Sequence, residues 1–125
     1  MAVTPVIEVL TAVLEAFAAV PRIYDATKDI LPRFRAMIAR GEGSIVIEGL
    51  LGKVVDSEVK RLKGLIDDYY SMDQDSKYGA LEKDEYRQRI AAQVCSLLKE
   101  LEPIKDKLPD YDRIRKLYCE RFPTG

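Results

Sequence analysis

The run from Val6 to Val20 constrains the fold most. Val6, Ile7, Val9, Leu10, Val13, Leu14 and Phe17 cover nearly the whole circumference of a helix, and Glu8, Thr11 and Glu15 leave only a narrow wet stripe. A helix of that kind has to be surrounded. With 125 residues in the chain, one compact domain can hide roughly two-thirds of the surface that the unfolded chain exposes, enough to enclose it. The expectation is a central helix within one domain spanning 1–125. The alternative is that part of its apolar surface meets another chain, which makes Val6, Leu10, Val13 and Phe17 candidate partner-binding residues. As a signal peptide the run fails, because no Lys or Arg precedes it and Glu8 and Glu15 interrupt it. It also falls short of the roughly 20 apolar residues of a bilayer span. A soluble protein without membrane contact is expected.

The remainder of the chain repeats the same periodicity. Thr4 and Pro5 read as an N-cap and a first-turn residue, and Pro21 ends the first helix. Ile23, Ala26, Ile30, Phe34, Met37 and Ile38 form a second stripe with Arg33, Arg35 and Arg40 outside it. Pro32 implies a kink or restart near Asp29 to Leu31, and Gly41 and Gly43 a stop. Ser44-Ile45-Val46-Ile47 is β-branched, but no second strand pattern offers it a partner. A helix capped by Ser44 is expected instead, running through Leu50, Val55, Val59, Leu62 and Ile66 to Tyr69, with Gly49 and Gly52 as weak points. After a polar loop, Tyr86, Ile90, Val94, Leu97, Leu98 and Leu101 mark a further helix that Pro103 stops. Pro109 and Asp110 open a short last one carrying Tyr111, Ile114, Leu117, Tyr118 and Phe122. The fold class is all-α, a single-domain bundle of four to five mostly antiparallel helices.

Composition removes most chemistry. The chain has no His, which excludes His-based acid–base catalysis, Ser-His and Cys-His nucleophile pairs and most zinc sites. The glycine-rich phosphate loop, the dinucleotide fingerprint and the nucleophile elbow are all missing. Asp67 and Asp68 beside Tyr69 and Tyr70 form a dense polar group, but helix neighbours in sequence do not face one another. Cys95 and Cys119 are too few and too far apart for a disulfide scaffold or a redox motif, so a reduced, cytoplasmic setting is expected. Cys95 sits in an apolar stripe and reads as a small buried hydrophobe.

The loop before the second half holds the sharpest local pattern. Asp73, Asp75, Gly79, Leu81, Glu85 and Tyr86 resemble an EF-hand loop, a resemblance covering about one motif, 73–86. The resemblance implies calcium held by Asp73, Asp75 and Glu85. The spacing departs from that family: Glu85 is the thirteenth position from Asp73 where the loop closes at the twelfth, and Lys77 and Tyr78 occupy a ligand place. The bland reading is a solvated turn followed by Glu82, Asp84 and Glu85 stabilising a helix start. More loosely, Gly79-Ala80-Leu81, Asp84-Glu85-Tyr86, Arg89-Ile90 and Leu97-Leu98 resemble the helical hairpins of bacterial effector-associated adaptor domains, which implies helix-to-helix contact with a partner.

Charge separates along the chain. The 67–85 stretch holds seven acids against two bases, whereas Arg113, Arg115, Lys116 and Arg121 interleave with Tyr111 and Tyr118. The net charge of −1 argues against nucleic acid as the partner. Together these features imply a non-enzymatic protein–protein interaction module, an adaptor or regulatory subunit without cofactor, able to form homo-oligomers. Its contact surface would be the first helix or the edge carrying Arg33, Arg35 and Arg40. The alternative is a calcium- or ligand-responsive switch using the 73–85 loop.

Overall fold

Pro5 has an extended backbone (φ −64°, ψ 137°) in the computed structural model, which describes residues 4–73 and 79–121. The first helix therefore begins one residue later than Thr4-Pro5 suggests, as α1, Val6–Ala19. Thr4–Pro5 is instead a strand, β1, paired antiparallel with β2, Val46–Ile47, in the register Thr4↔Ile47 and Pro5↔Val46. The Val6 amide extends the pairing by donating to the Ile45 carbonyl at 2.7 Å. The helix expected from Ser44 is thus corrected. A 3-10 turn at Glu42–Ser44 leads into β2, and α4, Gly49–Asp73, begins only at Gly49, whose φ of +71° is left-handed. The β-branched run finds its partner in two residues at the other end of the first segment, too short a strand to show any alternation.

Pro21 acts as expected. Val20 turns extended, and α2, Pro21–Thr27, starts with the proline in its first turn, where no amide is needed. The second stripe breaks at 28–30 and resumes as α3, Leu31–Ala39, with Pro32 in its first turn. α4 runs through Gly52 and Asp56 without interruption. α5, Ala80–Glu100, is capped by Glu82, whose carboxylate accepts from the Gly79 amide at 2.6 Å. A 3-10 stretch with Pro103 near its start, Glu102–Lys107, leads to α6, Tyr111–Arg121.

α4 and α5 pair antiparallel, because contacts advance along one as they retreat along the other. Glu58 meets Gln93, and Tyr69 meets Arg87. α6 folds back on α5 the same way, with Tyr111 beside Leu98 and Cys119 beside Cys95. α1 is the element all of these enclose. Val9, Leu10, Ala12, Val13, Ala16 and Phe17 are buried on it. The Phe17 ring meets Phe34 of α3 edge-on at 5.5 Å and stacks with Tyr118 of α6 at 6.2 Å. Among the described residues the fold is all-α with one minimal strand pair.

Candidate functional site

Of the residues proposed for partner contact, the apolar set is consumed inside the chain. Val6 is 4% exposed, and Leu10, Val13 and Phe17 are fully buried. A helix apolar on most sides needs burial, and α2 to α6 supply it. Arg33 and Arg40 are exposed but engaged, Arg33 with Asp110 and Arg40 with Glu42 at 3.3 Å. Arg35 is exposed.

The calcium-loop residues fall mostly outside the described residues: Asp75, and the side chain of Asp73. Glu85 is exposed in the second turn of α5. Among the described residues, no group of three or more His, Cys, Asp or Glu could hold a metal ion. Also among them, no helix is long and apolar enough to cross a membrane.

The two cysteines are bonded to each other. The Cys95–Cys119 disulfide joins α5 to α6, with Cα atoms 5.1 Å apart across a sequence separation of 24. The pairing departs from the reading of Cys95 as a small buried hydrophobe, since its sulfur is bonded to a second helix. Spacing along the chain misled because the antiparallel α5–α6 turn brings distant positions face to face. Neither sulfur is a free nucleophile in this form.

Around the start of α6 lies a polar clasp that the sequence did not reveal. The Arg113 guanidinium donates to both Asp29 oxygens, at 2.6 and 3.0 Å, and to the Ala26 carbonyl at 2.8 Å. In the opposite sense Arg33 of α3 pairs with Asp110. The two pairs cross, tying the α2–α3 junction to α6. Asp110 has φ +54°, a left-handed conformation that aspartate tolerates better than most residues, and its carbonyl accepts from the Ile114 amide at 3.0 Å. The Arg113 hydrogen bond holds the Asp29 carboxyl below its usual range, and Asp29 in return raises Arg113.

The sign of the resulting pH dependence follows. A carboxyl whose folded value is depressed contributes stability above its unfolded value and loses that contribution as pH falls through the folded one. Asp29→Asn should therefore melt below the wild type at pH 6, and the gap should close as pH drops from about 5 toward 2. Thermal melts of both proteins across that range check it, and a gap independent of pH would contradict the clasp.

Farther along, Tyr111 donates to the Leu98 carbonyl, and Arg115 bridges Glu102 and the Tyr111 hydroxyl. Burial pushes the Tyr111 phenol up. Tyr118 differs. It is fully buried, its pKa is raised by desolvation, and its hydroxyl finds no hydrogen-bond partner.

Among the described residues, two concavities border these elements. One is a shallow apolar recess between α1, β2 and the 3-10 stretch, lined by Val6, Val9, Ile47, Ile104 and Leu108 with Lys107 beside them. The other is a wide, open hollow at the start of α6. The apolar side chains left to solvent form another feature: Ile45, Val46 and Leu50 are 46%, 42% and 79% exposed at the β2–α4 corner. Comparison of the chain with protein-family models, curated proteins and solved structures finds no match.

Proposed function

We propose that the chain is a non-enzymatic protein–protein interaction module whose contact surface is the β2–α4 corner. The observation that carries this reading is the exposure of Ile45, Val46 and Leu50 within six consecutive positions, whereas the other exposed large apolar side chains among the described residues, Ile7, Tyr24, Tyr70 and Leu81, are scattered along the sequence. Large aliphatic groups left to water at one corner are the usual mark of a surface that another molecule covers. Arg40 and Glu42, both exposed, stand just ahead of the corner in sequence and supply a polar rim. The partner is a protein offering apolar side chains to the corner, either a different chain or a second copy. The scaffold behind it is read as a mostly antiparallel bundle of α1, α4, α5 and α6, with α2 and α3 laid across. The absence of His from the sequence and the pairing of both cysteines support a non-enzymatic role.

A photo-crosslinking residue at position 50, compared with one at exposed position 60 of α4, tests the proposal. Position 50 should give a protein adduct that position 60 does not, and Val46→Lys should abolish it. Equal yields at both positions, or none at position 50, would reject the surface. The adduct mass separates a second copy from a different protein.

A further inference from the structure

The last helix is secured unevenly. Its first half carries the polar ties: Asp110 to Arg33, Tyr111 to Leu98, Arg113 to Asp29 and Ala26, Arg115 to Glu102. Among the described residues, no hydrogen bond or ion pair is seen from positions 116–120 of the second half to another element. The disulfide at Cys119 holds that half instead, together with the burial of Tyr118 and partial burial of Leu117. The burial of Tyr118 carries a penalty, because its hydroxyl gives up water and gains no partner. The hydroxyl of the residue that packs this half most deeply thus opposes its docking, one position away from the covalent tie.

We infer that the Cys95–Cys119 bond is a redox latch: a dithiol reductant opens it and frees the second half of α6 while α1, α4 and α5 stay folded. The entry point is Cys119, which is only partly buried, whereas Cys95 is 3% exposed. A thiolate of the dithiol attacks the Cys119 sulfur. A mixed disulfide forms, the Cys119–Cys95 bond breaks, and Cys95 leaves as a thiolate that takes up a proton. The second thiol of the reductant then attacks the mixed disulfide, releasing Cys119 as a thiol and closing the reductant's own disulfide. Two electrons and two protons pass to the chain. With the crosslink intact the second half cannot separate from α5. Without it, the unpartnered hydroxyl of Tyr118 favours its exposure, which uncovers the ring stacked on Phe17.

Trypsin provides the test, since Arg115 and Lys116 lie at the hinge between the two halves and Lys60 and Arg61 lie within α4. The oxidised protein and the protein reduced with dithiothreitol are digested in parallel, and the cuts are timed by mass spectrometry. Reduction should speed cleavage after Arg115 and Lys116 by roughly a hundredfold, the scale of the constraint a crosslink imposes, and leave cleavage after Lys60 and Arg61 unchanged. In the reduced Tyr118→Phe protein the cleavage after Arg115 and Lys116 should be roughly tenfold slower than in the reduced wild type, because the unpartnered hydroxyl is gone. Cleavage insensitive to reduction would overturn the latch. So would parallel acceleration of the α4 cuts, which marks global unfolding, or a Tyr118→Phe protein cut as fast as wild type.

Discussion

Phe17→Ala lowers the stability of the protein by about 3–5 kcal/mol, the range for truncating a fully buried aromatic ring. Phe17 is inaccessible to solvent and lies between Phe34 of α3 and Tyr118 of α6, so one truncation loosens contacts to two other helices. Since a domain of this size has about 5–15 kcal/mol in total, the variant should stand at the margin of folding. Urea unfolding followed by circular dichroism checks it. A loss under about 1 kcal/mol would mean that the ring is not enclosed as described. Ile7, on the same helix but 38% exposed, is the internal control, and its replacement by Ala should cost far less.

Removing the crosslink ranks second. The double substitution Cys95→Ala and Cys119→Ala should cost about 3 kcal/mol, because a bond closing a loop over a 24-residue separation restricts the unfolded chain. The manner of the loss identifies the cause. If the unfolded ensemble expands when the tie is cut, the urea dependence steepens. Unchanged stability and an unchanged slope would show that Cys95 and Cys119 are not joined in solution.

How far the sequence foretells this arrangement depends on the range of the interaction. The helical stripes are legible because a 3.6-residue period is a local property. Ile90, Val94, Leu97 and Leu98 lie in the core as their spacing implies, and the prolines at 21 and 32 open helices as their missing amides require. What fails is tertiary. The β1–β2 pair joins residues some forty positions apart through two residues a side, below the length at which alternation carries information. The disulfide and the Arg113–Asp29 clasp depend on which faces meet after folding, and the latter spans 84 positions. The first helix shows a different limit. Its pattern states that Val6, Leu10, Val13 and Phe17 must be covered but not by what, and the chain's own helices cover them. The corner at Ile45, Val46 and Leu50 was hidden by the same misreading that extended a helix to Ser44. A helical register there assigns Leu50 to the core stripe, whereas the left-handed turn at Gly49 starts the helix anew and leaves Leu50 outside.

Everything rests on α1 being enclosed by its own chain, and native-state hydrogen exchange tests that most directly. The amides of Val9 to Phe17 should exchange only through global unfolding, as slowly as those of Ile90 to Leu98 in α5, at rates independent of protein concentration. Amides of α1 that exchange much faster than those of α5, or that slow as the protein is concentrated, would show that the central helix is covered by another molecule and would contradict the account.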